Sequence, residues 1–376
     1  MDLNRVKSNI DSTPAYVFDK DIISNNLAEL VNLKKESGCR VLYSIKALPL
    51  EGVLKLANEY LDGLSVSSLF EARLAKEILG DSGTIHLTTP GLRDDEFNEI
   101  TTLCTHVSFN SINQYQRLVS QGKNQISLGF RINPKLSFSN DQRYDPCRPY
   151  SKLGVSIDLL NEIPEEIEGL HFHTVFSNTS YQALENTLSL MKEKLGNRFN
   201  QLNWLNLGGG YLYHQIKNHQ PFIDLVRQLK TDFNLEVFIE PGKAVVGNAG
   251  YLVTSVIDCF ISDGKNIAVL DTSVNHNPEV FEYQRTPELL EADTQGEHLS
   301  LLVGSSCLAG DVFGEYHFKT MPKVGDRLVF LNVGAYSLIK ANRFNGYNLP
   351  DIYMGKSLND MSLIKQSDYQ DFRKQW

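Results

Sequence analysis

The sequence predicts an α/β protein: a (β/α)8 TIM-like barrel over residues 20–246, followed by a C-terminal antiparallel β domain over residues 247–376. The first observation is that short β-branched or aromatic runs alternate with amphipathic stretches between residues 40 and 246. Such alternation is typical of parallel strands joined by right-handed helical crossovers. The second observation is that the strand-like runs after residue 246 are joined by turns with little helix between them.

About eight runs are predicted to be barrel strands, which is the number that closes such a barrel. They cover residues 41–45, 63–67, 84–88, 106–110, 126–132, 169–175, 204–207 and 236–240. Helical patterns with apolar residues at i, i+3 and i+4 lie between them, at 50–60, 70–79, 183–195 and 221–233. A doubly wound open sheet is the alternative arrangement of these elements.

The C-terminal β domain is predicted from four runs, at residues 251–260, 267–270, 299–303 and 327–331. The barrel is complete without residues 15–18, so we expect this run, within the N-terminal residues 1–19, to be a further strand of the β domain. Residues 137–152 form a polar and aromatic stretch with two prolines. We expect a long functional loop there.

Composition narrows the class of protein. The chain of 376 residues has a net charge of −9, which disfavours nonspecific binding to nucleic acid or to an anionic membrane. No apolar stretch is long enough for a transmembrane helix, and residues 1–13 lack the apolar core of a signal peptide. The five cysteines are scattered without a CxxC pair, which argues against disulfides and a zinc site. We therefore expect a cytoplasmic protein without a bound metal.

Candidate site residues follow the predicted barrel strands, because the site of such a barrel forms at the C-terminal strand ends. A lysine and a carboxylate stand at two of these ends, as pyridoxal phosphate (PLP) chemistry requires. The lysine amine holds the PLP aldehyde as a Schiff base, and the carboxylate keeps the pyridine nitrogen protonated. In chain order, the strand-end residues are Lys46, Ser68 with Glu71, Arg131, His173, Gly208, Gly209, Gly210 and Glu240.

Each of these residues also has a purely structural interpretation. A lysine at a strand end is commonly a surface residue, and a glycine run is commonly a flexible turn. In its place after the seventh strand, however, the run Gly208–Gly209–Gly210 is suited to binding a phosphate through backbone N–H groups. We expect His171 and His173 to point to opposite sides of their strand, with one imidazole facing the barrel axis or the cofactor and no metal shared between them.

Glu240 either caps the turn before Pro241 or faces the pyridine nitrogen. A carboxylate there suits decarboxylation, in which a carbanion must be stabilised, whereas an arginine would suit racemisation. In the β domain, Cys307 is either a buried inert thiol or the donor of a proton to that carbanion. Asp311 is a candidate partner for a substrate ammonium group, and the Tyr336 hydroxyl a candidate donor to the phosphate.

Together these motifs resemble the fold-type III PLP-dependent decarboxylases, the alanine racemase and ornithine decarboxylase group, and within it the carboxynorspermidine decarboxylases. The resemblance implies that Lys46 binds PLP, that His173 stacks on its ring and that Glu240 meets its pyridine nitrogen. It implies that Cys307 and Asp311 reach in from a second subunit of a homodimer with two shared active sites. The motifs that carry it are residues 43–47, 65–73, 169–173, 206–210, 240–242, 307–314 and 344–346.

Several positions depart from the carboxynorspermidine pattern. Lys243 follows Glu-Pro-Gly where that family tends to have glutamate, and residues 174–178 read Thr-Val-Phe-Ser-Asn where it tends to have Leu-Cys-Glu. Residues 271–287 keep Asp271 and His276, which we take as candidate substrate-binding residues, but have Asn277 and Glu279 where Met and Asp are usual. The loss of an acidic residue near the ring favours a substrate without the second amine of a polyamine. Whether Lys243 contacts the phosphate stays open.

The sequence thus predicts a PLP-dependent decarboxylase that removes the α-carboxylate of a 3-amino-3-carboxypropyl group and leaves an aminopropyl group. Two acceptors for that group are open. One is the polyamine of carboxynorspermidine or carboxyspermidine, and the other is a non-polyamine such as the intermediate of the peptide–nucleotide antibiotic microcin C. More remote alternatives are an amino-acid racemase and a regulator that has lost PLP. Glu240 argues against the racemase, and the presence of Lys46 and Cys307 argues against the regulator.

Overall fold

The computed structural model describes residues 1–121, 126–139 and 141–376. These residues divide into two compact units, Asn25–Val245 and the combination of Met1–Ser24 with Val246–Trp376. The chain opens with α1 (Leu3–Asn9), β1 (Ala15–Asp19) and α2 (Lys20–Ser37). Asn140, within the predicted loop 137–152, lies outside the described residues.

The Asn25–Val245 unit is a closed parallel barrel of eight strands. The pairing of its fourth strand with its fifth closes the barrel and excludes the open sheet. A short strand of two residues, β7 (Val155–Ser156), pairs in parallel with the end of the fifth strand. The barrel strands are β2 (Arg40–Ser44), β3 (Gly63–Val66), β4 (Thr84–Thr88), β5 (His106–Phe109), β6 (Ser127–Asn133), β8 (Ile167–Phe172), β9 (Trp204–Asn206) and β10 (Glu236–Ile239).

Helices follow the strands as the apolar spacing predicts. In one of them, α8 (Gln220–Phe233), a proline lies in the first turn, where no helical hydrogen bond needs its missing N–H. The helix is capped at its C-terminal end by Asn234, which has the left-handed conformation. The buried face of α8 consists of Phe222, Ile223, Val226 and Leu229. The helices of this part of the chain are α3 (Glu51–Tyr60), α4 (Leu69–Leu79), α5 (Asp94–Leu103), α6 (Ile112–Leu118), α7 (Gln182–Leu195), α8 (Gln220–Phe233) and α9 (Lys243–Val246).

The N-terminal end of the barrel is filled by Trp204, which packs with Leu42 and Phe238. Two glycines make room for the indole: a Cβ on Gly169 would lie 1.9 Å from the Trp204 ring, and one on Gly129 would lie 2.5 Å from it. The polar residues that follow the strands lie at the opposite, C-terminal end, where barrel sites form.

The other unit contains a sheet in the order β14–β13–β12–β11–β1–β16–β17, with β15 paired to β11. The predicted C-terminal β domain is confirmed. The N-terminal strand β1 pairs with β11 and β16 in this sheet. Its remaining elements are β11 (Gly250–Ser262), β12 (Lys265–Leu270), α10 (Glu279–Tyr283), β13 (His298–Val303), β14 (Val312–Phe318), β15 (Arg327–Phe330), α11 (Ser337–Lys340), β16 (Asp351–Gly355), β17 (Ser362–Lys365) and α12 (Tyr369–Arg373).

The sheet is mixed rather than purely antiparallel, which corrects the prediction in one respect. Strand β1 pairs antiparallel with β11 on one side and parallel with β16 on the other. Strands β12 and β13 are also parallel, because the long connection between them, which includes α10, returns the chain to the same end of the sheet. Among the described residues, no helix has the length and apolarity needed to cross a membrane.

Candidate active site

Lys46 lies in a 3-10 turn, Ile45–Ala47, directly after β2. Its side chain opens into a cavity of about 560 Å³ at the C-terminal end of the barrel. The amine is accessible from this cavity although protein atoms surround it closely. Burial lowers the pKa of Lys46 and outweighs the opposing effect of the Glu240 carboxylate. A lysine with a lowered pKa is the form of amine that acts as a nucleophile.

Glu240 follows β10 and is 7% exposed. Its Oε1 accepts a hydrogen bond of 2.8 Å from Nδ2 of Asn206, and its Oε2 lies 3.4 Å from Nε2 of His171 without hydrogen-bond geometry. Burial alone would raise the pKa of Glu240, but His171 and Lys46 hold that pKa below its usual range. Glu240 is therefore an ionised carboxylate in a buried position.

The structure corrects the expected orientation of the two histidines. Residues 171 and 173 are two positions apart, and side chains with that spacing lie on the same face of a strand. Both imidazoles have pKa values lowered by burial, and both interact with the charges of Lys46, Arg131 and Glu240. His171 and His173 are thus neutral side chains of one site.

The glycine loop Gly208–Gly210 connects three strand ends through close backbone contacts. A Cβ on each glycine would lie 2.2 Å from the carbonyl oxygen of Phe172, Glu240 or Val175 respectively. The N–H of Gly208 donates to Oδ1 of Asn206 at 2.9 Å, and the N–H of Gly209 donates to Nδ1 of His173 at 3.1 Å. Two N–H groups that the sequence suggested for phosphate binding thus orient neighbouring side chains. The bond to Gly209 also places the proton of neutral His173 on Nε2.

Ser68 is the N-cap of α4, and its hydroxyl accepts a hydrogen bond of 3.2 Å from the N–H of Glu71. The Glu71 carboxylate accepts in turn from the N–H of Ser67 at 2.7 Å, and it interacts with the charge of Lys46. Ser67 lines the cavity beside Lys46 and Arg131. The Ser68–Glu71 pair therefore shapes the turn that presents Ser67 to the cavity.

The sequence analysis missed several residues of the site, among them Thr88, Tyr144, Phe176 and Asn206. Thr88 ends β4 and lines the cavity, so its place at a strand end was a usable signal. Tyr144 and Phe176 stack at 5.2 Å between ring centroids, with Nζ of Lys243 lying 5.3 Å from the Phe176 ring. Asn206 precedes the glycine loop by two positions and touches Glu240. Nothing in the spacing of Tyr144 and Phe176 indicated that they meet.

The β-domain candidates Cys307 and Asp311 belong to one loop. Cys307 is exposed, and its N–H donates to Oδ1 of Asn345 at 2.7 Å. Asp311 is 3% exposed and accepts hydrogen bonds from the N–H of Val274 at 2.8 Å and from the N–H of Ser306 at 3.0 Å. The Asp311 carboxylate thus holds the backbone on which Cys307 is presented.

Asp271, His276 and Tyr336 lie in the same unit. Asp271 accepts from the Thr254 hydroxyl at 2.6 Å and from the N–H of Ser255 at 2.9 Å, so its carboxylate is engaged within the sheet. Burial lowers the pKa of His276 to about 4. Burial and the nearby Glu279 carboxylate raise the pKa of Tyr336 to about 12, which keeps its phenol protonated and able to donate a hydrogen bond.

The barrel, the lysine at the end of β2 and the carboxylate at the end of β10 together define a PLP-dependent enzyme of the barrel type. The family model described as "Pyridoxal-dependent decarboxylase, C-terminal sheet domain" matches residues 15–334. The chain belongs to this family, and it is a PLP-dependent decarboxylase.

Two relatives and one solved structure are similar to this chain. The chain is 36% identical to carboxynorspermidine/carboxyspermidine decarboxylase of Campylobacter jejuni, over 96% of this chain and 97% of that protein. It is 32% identical to carboxyaminopropylagmatine decarboxylase of Synechocystis, over 96% of this chain and 94% of that protein. The crystal structure of the Campylobacter jejuni carboxynorspermidine decarboxylase with norspermidine superposes with a TM-score of 0.88 and 34% identity, covering 97% of this chain and 100% of that chain.

The residues present fit PLP. Lys46 supplies an accessible amine of lowered pKa, and Glu240 supplies a buried ionised carboxylate suited to a protonated ring nitrogen. His173 lines the cavity with a neutral imidazole, and Arg131 adds a cation that suits an anionic phosphate. The set of an amine, a carboxylate, an aromatic ring and a cation at the ends of four barrel strands is what this cofactor needs.

Proposed function

We propose that the protein removes the α-carboxylate of a 3-amino-3-carboxypropyl group and leaves an aminopropyl group, as in the decarboxylation of carboxynorspermidine and carboxyspermidine. The observation that carries the proposal is the pairing of a lysine of lowered pKa with a buried ionised carboxylate at adjacent strand ends. Two relatives named for different acceptors, a polyamine and agmatine, support the common aminocarboxypropyl group.

In this proposal each residue has one task. Lys46 would hold the cofactor through its amine, and its lowered pKa leaves that amine available as a nucleophile. Glu240 would hold a proton at the pyridine nitrogen, and His173 would supply a neutral imidazole beside the ring. When bound, PLP supplies an electron-accepting ring that stabilises the negative charge left on the α-carbon as CO₂ departs. We place the phosphate at the glycine loop, where the N–H groups of Gly208 and Gly209 orient the side chains of Asn206 and His173.

We further propose that Cys307 returns a proton from Sγ to the α-carbon after CO₂ has left, and that Cys307 and Asp311 serve the active site of the partner in a homodimer. Cys307 is exposed, as a thiol that serves another subunit must be. Asp311 fixes the loop that carries it through its bonds to the N–H groups of Val274 and Ser306. We place the reaction in the cytoplasm, because all five cysteines are free thiols, which a reducing compartment maintains.

The positive charge of the cavity lining favours a second kind of acceptor, one that carries negative charge. Among the described residues that line it, Arg143, Arg148 and Lys152 are cationic in addition to Lys46 and Arg131. The one carboxylate of this lining, Asp145, accepts hydrogen bonds from the N–H of Cys147 at 2.8 Å and from the Ser137 hydroxyl.

Lys46 and Arg131 serve the cofactor in this proposal, and Arg143 is ion-paired with Asp141 at 2.7 Å, so we assign Arg148 and Lys152 to the acceptor. The ammonium groups of a polyamine would meet like charge there, whereas an acceptor with a phosphate, such as the peptide–nucleotide intermediate of microcin C, would meet opposite charge. Both acceptors carry the same aminocarboxypropyl group, and the proposed chemistry is the same for both.

The test is a comparison of kcat/KM for carboxynorspermidine and for an aminocarboxypropyl nucleotide, with loss of CO₂ confirmed by the mass of the product. Arg148→Glu should change the ratio of the two values by about tenfold toward the polyamine, because it reverses one charge of the cavity lining. Lys217→Glu is the matched control, because Lys217 is exposed and is not a lining residue. An unchanged ratio in Arg148→Glu would remove the support for the anionic acceptor.

A further inference from the structure

Asn206 is the last residue of β9, and it lies between the glycine loop and the carboxylate that ends the neighbouring strand β10. Its side chain is 1% exposed. A buried amide requires partners at both of its ends, because an unpaired donor or acceptor away from water destabilises the fold. The identity of those partners shows what the amide does.

The two ends of the amide have different partners. Oδ1 of Asn206 accepts from the N–H of Gly208 at 2.9 Å, and Nδ2 donates to Oε1 of Glu240 at 2.8 Å. The Gly208 N–H is only a donor and an ionised Glu240 is only an acceptor, so the amide has one orientation that satisfies both. Nδ2 also lies 3.4 Å from Nδ1 of His86.

The backbone joins the same two segments. The N–H of Glu240 donates to the carbonyl oxygen of Gly208 at 2.8 Å, beside the side-chain bridge through Asn206. Gly209 leaves room for this approach, because a Cβ there would lie 2.2 Å from the carbonyl oxygen of Glu240. The position of the glycine loop and the position of the Glu240 carboxylate are therefore linked by two parallel connections.

We propose that Asn206 is a positioning residue for the cofactor: its single amide fixes Glu240 for the pyridine nitrogen and the glycine loop for the phosphate at the same time. This inference rests on the proposed function of Glu240 and of the loop. Asn206 itself touches neither the substrate nor the reacting atoms, so it acts only through its two partners. Without the amide, Glu240 would keep His171 at 3.4 Å as its neighbour but would lose its hydrogen-bond donor.

The charged and titratable groups that face Glu240 come from several strands, and they must be considered in any titration of this site. His171 and Lys46 hold the pKa of Glu240 below its usual range, and the Asn206 amide adds a direct hydrogen bond to the charged carboxylate. The groups that interact with the Glu240 charge are Lys46, His86, Arg131, His171 and His173.

The test uses the PLP-loaded protein without substrate. Asn206→Leu keeps the branched shape of the side chain but removes both hydrogen-bonding ends, and Asn206→Ala is a second, smaller variant in which water can enter if the bulkier leucine prevents folding. Thr187→Val is the matched control, because it removes another buried side-chain hydrogen bond, the 2.7 Å bond from Thr187 to the carbonyl oxygen of Ala183 within α7.

Two quantities are measured. The ¹⁵N chemical shift of the pyridine nitrogen in ¹⁵N-labelled PLP, followed as the pH is raised, reports the proton that Glu240 holds there. The rate of PLP release reports how tightly the glycine loop binds the cofactor. A charge-assisted hydrogen bond in a buried site corresponds to about a 10- to 100-fold change in an equilibrium constant. The Asn206 variants should therefore lose the pyridine proton at least about one pH unit below wild type and release PLP about tenfold faster.

The same Asn206 substitution in a Glu240→Gln variant separates the effect on the pyridine nitrogen from the effect on the glycine loop. If Asn206 acts on the pyridine nitrogen through Glu240, Asn206→Leu should not shift the pyridine titration further in that background, but it should still speed PLP release. An unchanged titration and release rate in both Asn206 variants, with Thr187→Val like wild type, would overturn the proposal. A shift of equal size with and without Glu240 would also overturn it. Wild-type protein that binds no PLP would instead refute the proposed function.

Discussion

The backbone N–H of Ser44 donates a hydrogen bond of 3.0 Å to the carbonyl oxygen of Pro241. Ser44 is the last residue of β2, before Lys46, and Pro241 directly follows Glu240. The two strands are parallel neighbours, with Val41 opposite Ile239. One backbone hydrogen bond thus connects the two strand ends that carry Lys46 and Glu240. The distance between these two side chains therefore depends on the barrel and not on flexible loops.

Lys46→Ala should abolish turnover, with a loss of more than about a thousandfold in kcat, because no other amine replaces a covalent lysine. The loss is measured as CO₂ release by protein supplied with excess PLP. Lys55→Ala, on the exposed face of α3 where Lys55 pairs with Glu51, is the matched control and should keep full activity. Near-full activity in Lys46→Ala would refute the role of this lysine.

Gly209→Ala should destabilise the protein by roughly 1–3 kcal/mol and weaken its retention of PLP, since overpacking at a rigid backbone contact forces the strands apart. The new Cβ would lie 2.2 Å from the carbonyl oxygen of Glu240. Gly91→Ala is the control, because its nearest neighbour would be 3.9 Å away. Thermal unfolding and PLP content after gel filtration measure the two effects. Equal midpoints for the two variants would contradict the close contact.

His276 should make the stability of the fold depend on pH. Its pKa in the folded chain is about 4 because of burial, against about 6.5 for an unfolded histidine. Between these values the unfolded chain binds more protons, so acidification favours unfolding. From pH 7 to pH 5 the wild type should lose about 2 kcal/mol that His276→Gln does not lose.

Chemical denaturation at the two pH values measures this difference. His298→Gln serves as the control, because His298 is exposed. If acidification destabilised His276→Gln as much as wild type, the buried neutral state of His276 would be wrong.

The homodimer with shared sites predicts complementation between inactive variants. Lys46→Ala and Cys307→Ala each damage a different contribution to the site. After the two variants are mixed and their subunits exchange, half of the dimers contain one subunit of each variant. In such a mixed dimer, one site combines the Lys46 of one subunit with the Cys307 of the other and is intact, and the other site lacks both residues. About a quarter of wild-type activity should then return, as random pairing of two subunit types dictates. Activity that stays at the sum of the two separate variants would contradict the sharing.

Much of this site was predictable from the sequence. The ends of the barrel strands follow from periodicity, so Lys46, Arg131, His173, the glycine run and Glu240 were found by position alone. Thr88 could have been predicted by the same rule. The contact of Asn206 with Glu240 could not have been predicted, because it depends on which strands are neighbours in space and on the rotamers of buried side chains.

Two features of the structure lay beyond periodicity. The stacking of Tyr144 on Phe176 joins a long irregular loop to the segment after β8, and loop conformation is not encoded in an apolar pattern. The parallel pairs in the sheet of the β domain depend on long connections that return the chain to the same end, which short-range patterns do not report. The orientation of the two histidines, in contrast, was determined by spacing alone.

The most direct test of the central claim is CO₂ release by the purified, PLP-loaded protein given carboxynorspermidine, carboxyspermidine or an aminocarboxypropyl nucleotide. We predict that at least one of them yields stoichiometric CO₂ and the matching aminopropyl product, and that Lys46→Ala yields none. If PLP is bound but none of the three substrates releases CO₂, the aminocarboxypropyl assignment is wrong.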